Sequence, residues 1–114
     1  MTDILTELYE IVEKRKAERE EGSYTAYLFD EGLDKILKKL GEECSETIIA
    51  AKNLKSWEAG SRDDLIGETA DLIYHITVML SELGLRPEEV EDVLRARMQK
   101  TGNLKQTHET DKNS

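Results

Sequence analysis

From Asp63 to Leu85 the chain carries no Lys or Arg, and apolar residues fall on nearly every side of the helix that their periodicity predicts. Leu65, Leu72, Ile76, Met79 and Leu83 form one side of it, while Ile66, Ile73, Tyr74 and Leu80 form another. Such a helix cannot face water along half its girth as an amphipathic surface helix does. It must lie centrally in a core or be covered by a second chain. The same stretch nevertheless holds Glu68, Asp71 and His75, with no Lys or Arg within it to offset the two acids.

The rest of the chain is read around that element. With 114 residues the size fits one domain, and one Pro and seven Gly leave long stretches uninterrupted. Three further helices are predicted. The first spans about Asp3 to Glu20, capped by Thr2 or Asp3, with Ile4, Leu5, Leu8, Ile11 and Val12 as its stripe. The mixed-charge run from Glu13 to Glu21 reads as its solvated end. The second spans about Leu33 to Asn53, with Leu33, Ile36, Leu37, Leu40, Cys44, Ile48 and Ala51 at helical spacing. The last opens at Pro87, a favoured residue of a first turn, with Glu88 and Glu89 suited to a helix N-terminus. Residues 22–32, bounded by Gly22 and Gly32, read as a loop whose aromatic residues plug the bundle end. From Thr101 the sequence turns polar, so residues 1–100 are expected to fold and 101–114 to form a flexible tail. The expected architecture is all-α: a four-helix-type bundle with short links, completed by a second copy of the chain that covers the central helix.

Composition excludes several functions. A net charge of −9, from 25 acidic and 16 basic residues, disfavours binding to nucleic-acid polymers. A phosphate-bearing ligand would need a cation as mediator. Cys44 is the only cysteine, so an intrachain disulfide and a paired-cysteine metal site are both ruled out. No apolar run reaches the ~20 residues of a membrane span, and the N-terminus shows no secretory pattern, so the chain is expected in the cytoplasm.

Two short acidic patterns carry the chemistry. Glu42, Glu43 and Glu46 stand on the second predicted helix, and Glu68 and Asp71 on the third. Glu43 with Glu46, and Glu68 with Asp71, are three residues apart and so share a helix face. Alone, each pattern is weak in a chain this rich in acids. Both, however, lie at the apolar edge of their helices, where unpaired charge is costly. Antiparallel packing of the two helices would merge them into one carboxylate patch. Convergent carboxylate oxygens suit a hard divalent cation such as Mg²⁺, which keeps waters and accepts phosphate oxygens as further ligands. Lys39 shares a face with Glu43, Lys38 adjoins it, and Lys52 follows Glu46 by about two turns. These lysines suit ion pairing with Glu42 and Glu43 and phosphate binding equally. His75, four residues beyond Asp71, reads as a hydrogen-bonded core histidine or a partner of the substrate, and less well as a metal ligand.

With these residues in view, the pairing of Glu42-Glu43-x-x-Glu46 with Glu68-x-x-Asp71 resembles the all-α nucleoside triphosphate pyrophosphatases, a superfamily that includes MazG-type enzymes and dimeric dUTPases. Gly22-Ser-Tyr-Thr25, Lys38-Lys-Leu-Gly-Glu-Glu43, Ile49-Ala-Ala-Lys-Asn53 and Glu68-Thr-Ala-Asp-Leu-Ile-Tyr-His75 are similar to the narrower phosphoribosyl-ATP pyrophosphatase family, over roughly residues 4 to 98. The resemblance implies hydrolysis of phosphoribosyl-ATP to phosphoribosyl-AMP and pyrophosphate, the second step of histidine synthesis, by a homodimer. It implies Mg²⁺ held by Glu43, Glu46, Glu68 and Asp71. It gives Glu42 or Glu46 the part of acid or base, and Ser23, Tyr24, Thr25, Lys38, Lys39, Lys52, Asn53 and His75 contacts with substrate. Cys44 stands where the family pattern suggests a small residue such as Ala. Two other readings are a MazG-like hydrolase of noncanonical nucleotides, which the Ser-Tyr-Thr segment disfavours, and a non-enzymatic helical adaptor whose acids are only a solvated face.

Overall fold

The structure, a computed structural model, describes residues 3–56, 61–100 and 105. Five helices are formed among these residues: α1 Ile4–Ala17, α2 Tyr24–Glu31, α3 Leu33–Ser56, α4 Arg62–Glu82 and α5 Pro87–Gln99. The all-α expectation holds. The Thr2 cap, the 57–60 connection and all of the 101–114 tail except Lys105 lie outside the described residues.

The segment read as a loop is α2. Ser23 caps it by accepting the Ala26 N–H at 3.2 Å. Its Ala26, Leu28 and Phe29 are buried. Gly22 and Gly32 have φ of +87° and +94°, a region that glycine enters without steric cost. The two glycines therefore mark the ends of a short helix rather than a loop between them. Phe29 does plug the interior, whereas Tyr24 and Tyr27 remain exposed.

Asp3 caps α1, accepting from Leu5. The helix ends at Ala17, earlier than the expected Glu20. Tyr9 and Val12 are its buried residues, while Ile4 and Ile11 of the expected stripe face outward. The charge run is only partly solvated. The buried Ser81 hydroxyl donates to Glu13 Oε2 at 2.5 Å, and Lys16 Nζ donates to the Ser81 carbonyl at 2.9 Å. The Ser81 hydroxyl is the main reason that the Glu13 carboxyl titrates below its usual range. Glu13 and Lys16 thus fasten α1 to the end of α4.

The core gathers where α1, α2, the start of α3 and the end of α4 meet. Val12, Leu28, Phe29, Ile36 and Val78 form it, with Leu8, Tyr74 and Met79 packed against it. Ser61 caps α4 by accepting the Asp64 N–H at 2.9 Å, and Arg86 N–H donates to Glu89 at 2.8 Å where α5 begins. Away from the core, α3 and α4 run on as an antiparallel pair. There Cys44 and Ile48, members of the α3 stripe, are exposed. No helix among the described residues is long and apolar enough to cross a membrane.

Candidate active site

The antiparallel pairing sets Glu43 and Thr47 of α3 against Glu68 and Asp71 of α4. Thr47 fixes the register. Its hydroxyl lies 2.8 Å from the Glu43 carbonyl and 3.2 Å from the Glu68 carbonyl, so one side chain touches both acid-bearing turns. Glu43, Glu68 and Asp71 each offer a carboxylate oxygen, and these atoms lie within 4.8 Å of one another. The structure thus brings Glu43 of the first acidic pattern together with Glu68 and Asp71 of the second, and leaves Glu42 out of the group.

Its electrostatics are unfavourable without a counter-ion. Glu43 and Glu68 are half-buried, and one Oε2 of each is shut from solvent with no hydrogen-bond partner. A buried acceptor left unmatched loses its hydration with nothing in return. Burial raises the Glu43 carboxyl above its usual range, and the charges of Glu46 and Asp71 push it further. Burial does the same for Glu68, again with Glu46 adding to it. Glu46 and Asp71 are themselves exposed, contrary to the half-buried setting expected of Asp71. Glu42 points elsewhere, paired with Lys39 Nζ at 3.2 Å. Hard oxygen donors, two of them orphaned, match the needs of a divalent cation.

Beside the cluster a groove of about 240 Å³ runs between the far halves of α3 and α4, lined by Glu46, Ile49, Ala50, Asn53, Ser61, Asp64 and Glu68. Asn53 borders it, and Lys52 is exposed on the same turn. Lys38 is also exposed.

The first turn of α2 closes the opposite side of the cluster. Tyr24 Oη lies 2.9 Å from His75 Nε2, and Thr25 Oγ1 is hydrogen-bonded to Tyr74 Oη. Two successive residues of the Ser-Tyr-Thr segment thus meet two successive residues of the Tyr-His ending. His75 is 4% exposed, and its Nδ1 is 2.7 Å from the Asp71 carbonyl. Both its nitrogens are thereby occupied, so the structure does not turn it toward a phosphate. The rings of Tyr24 and Tyr27 stack at 6.1 Å between centroids. The charges of Lys39 and Glu43 both act on the Tyr24 hydroxyl, which burial holds above its ordinary range.

Sequence reasoning missed Thr47, Tyr74, Tyr27, Ser61 and Asp64. Three of these had a signal: Ser61-x-x-Asp64 is a helix-start pattern, and Thr47 is a hydroxyl set in an apolar stripe.

Residues 5–98 match the model of the family described as phosphoribosyl-ATP pyrophosphohydrolase. A protein of Streptococcus sanguinis strain SK36 named phosphoribosyl-ATP pyrophosphatase is 50% identical over 108 residues, covering 95% of this chain and 98% of that protein. One of the same name from Pelotomaculum thermopropionicum is 52% identical over 98 residues, 86% of this chain and 94% of its own length. A third, from Lactiplantibacillus plantarum, is 48% identical over 101 residues, 89% of this chain and 90% of that protein. A family match over most of the chain, near-complete coverage of these relatives and the two acidic helices place one conclusion beyond composition or fold alone: the chain belongs to the phosphoribosyl-ATP pyrophosphohydrolase family.

Proposed function

We propose that the protein hydrolyses phosphoribosyl-ATP to phosphoribosyl-AMP and pyrophosphate in the cytoplasm, as a step of histidine synthesis, by in-line attack of water between the α- and β-phosphates. The observation that carries the chemistry is the pair of orphaned, buried carboxylate oxygens of Glu43 and Glu68. Together with Glu46 and Asp71 these residues would hold Mg²⁺. Bound there, the ion would offset charge on phosphate oxygens and acidify a water.

The chain's own groups divide the remaining work. Glu46 reaches both the cluster and the groove, which suits it to orient the attacking water and take its proton. Glu42 is engaged by Lys39 and fits a supporting part. Lys38, Lys39 and Lys52 supply positive charge for a polyphosphate, Asn53 a hydrogen bond in the groove, and Ser23, Tyr24 and Thr25 a border to the substrate. Pyrophosphate release from phosphoribosyl-ATP, with and without Mg²⁺ and against a panel of nucleoside triphosphates, tests this reading. Mg²⁺-independent release, or faster release from noncanonical triphosphates, would sink it.

We propose further that the working unit is a homodimer. On α4, Ile66 is 59% and Ile73 40% exposed, and on α3 Ile48 is 69% exposed. Ile73 also lines an apolar groove of about 220 Å³ together with Ile76, Leu80, Val90 and Leu94 among others. Soluble monomers rarely leave so much contiguous apolar surface wet, and a two-fold mate would cover it. Its melting temperature should rise with protein concentration. A stable, active 13 kDa species in sedimentation at low micromolar concentration would contradict the dimer.

A further inference from the structure

The hydrogen bonds joining α4 to Tyr24 have a fixed polarity. A main-chain carbonyl only accepts, so the 2.7 Å contact from His75 to the Asp71 carbonyl puts a proton on Nδ1. In the neutral ring Nε2 is then bare and can only accept. Its partner at 2.9 Å is Tyr24 Oη, which must therefore donate its single proton inward. The phenol keeps that proton, since burial raises its pKa. What remains on the outer side of Tyr24 Oη is lone-pair density. The anchor is buried while the end of the relay is open: His75 is 4% exposed and Tyr24 45%.

We propose that the Asp71 carbonyl, His75 and Tyr24 form a one-way relay that makes Tyr24 a hydrogen-bond acceptor at the edge of the carboxylate cluster, so that it positions a hydrogen-bond donor of the nucleotide and does not touch a phosphate. A phosphate oxygen has no proton to offer a lone pair, whereas a sugar hydroxyl or a base amino group does. The inference rests on the cluster being the nucleotide site. It assigns to Tyr24 a donor of the nucleoside rather than a phosphate oxygen, and the Tyr24 ring is already stacked with Tyr27.

Two measurements test it. The first is the ¹⁵N spectrum of the His75 ring at a pH where the imidazole is neutral. The relay requires the Nδ1–H tautomer in the wild type and, in Tyr24→Phe, the same tautomer with a displaced Nε2 resonance, because the Asp71 carbonyl still holds the proton while the bare nitrogen has lost its donor. A dominant Nε2–H tautomer, or a spectrum unchanged by Tyr24→Phe, overturns it. The second is calorimetry in the presence of Mg²⁺, with inorganic pyrophosphate and α,β-methylene-ATP as probes. Tyr24→Phe should weaken the nucleotide analogue about tenfold and leave pyrophosphate within about twofold. Equal weakening of both means that Tyr24 donates to phosphate, and weakening of neither means that it positions nothing; each result overturns the proposal. The 2′-deoxy, 3′-deoxy and inosine versions of the analogue identify the donor, because the version lacking it should bind wild type and Tyr24→Phe alike. Wild-type protein that binds neither probe removes the site reading, and the relay's ligand with it, even where the tautomer is as required.

Discussion

The two halves of α4 follow the same helical geometry and do opposite things. Toward its C-terminal end, His75, Thr77, Val78, Leu80 and Ser81 are buried, and every polar group among them has a partner. Toward its N-terminal end, Ile66 and Ile73 are uncovered and Glu68 holds an oxygen with no partner. α3 repeats the contrast in reverse order: Ile36 is buried near its start, whereas Glu43 is orphaned and Ile48 exposed farther on. One end of the helix pair thus supplies stability, and the other stores an unfavourable charge arrangement that a ligand can relieve. Evolved sites commonly break local rules in this way, with the deficit offset elsewhere in the fold.

The strongest way to break this division is to remove a carboxylate. Glu46→Gln and Asp71→Asn should each lower turnover of phosphoribosyl-ATP by roughly 10²–10³-fold, while the metal-free protein melts no lower than wild type, because like charges have been relieved. Variants that keep near-normal rates would show that the acids are only a solvated face. Variants that unfold would show that the acidic end supports the fold after all.

The opposite end should respond in the opposite sense. Leu28 is fully buried among Val12, Phe29, Ile36 and Val78. Leu28→Ala should cost about 2–5 kcal/mol of unfolding free energy, read from denaturant titration. The Mg²⁺ affinity of the protein that remains folded should change little. Loss of Mg²⁺ binding in step with stability would mean that the two ends are one cooperative unit.

How far this division was legible in sequence depends on the kind of signal. The basic-free, all-round apolar stretch announced α4, and its acids at the apolar edge announced a site. These readings rest on short-range periodicity, which the chain shows directly. α2 was hidden because its glycine brackets read as loop punctuation, while its capping residue Ser23 and buried Leu28 and Phe29 acquire meaning only against α1 and α3. Glu13 and Lys16 read as solvated charge because their partner, Ser81, lies far away in sequence. The clasp of Tyr24 and Thr25 on His75 and Tyr74 was hidden for the same reason. Both motifs were visible, and their contact was not.

A pH series sharpens the comparison on a smaller scale. Glu43 and Glu68 titrate above the usual carboxylate range in the fold. The folded state therefore holds their protons more tightly than the unfolded chain does, and stability is gained as pH falls through the raised values and lost as pH rises through them. Metal-free protein should melt higher as pH drops from about 7 toward about 5. Glu13 and Glu88, held below the usual range, act in the other direction only at lower pH. Mg²⁺ competes with these protons, so at neutral pH it should stabilise the fold by about 2.7 kcal/mol at a hundredfold excess over its Kd. It should also flatten or reverse the pH slope. Glu68→Gln should lose much of both effects, as read by calorimetry. A rise that persists unchanged in that variant would move its origin away from the cluster.

The smallest structural effect is expected at Lys39, which lies between the two ends. Its visible partner is Glu42, three residues on, at 3.2 Å and partly exposed. Such pairs contribute little to folding, because solvent screens them and both long side chains must be held still. Lys39→Ala should therefore leave the melting temperature nearly unchanged. A polyphosphate arriving at the cluster, however, brings charge that the acids themselves repel, and Lys39 is a cation beside Tyr24. Its removal should lower kcat/KM by about tenfold, chiefly through KM, since the contact forms on binding and persists to the transition state. Lys39→Arg should recover most of this loss, as it restores the charge. If Lys39→Ala instead lowers stability while kcat/KM holds, Lys39 belongs to the structural end of the molecule and its pairing with Glu42 is its whole role.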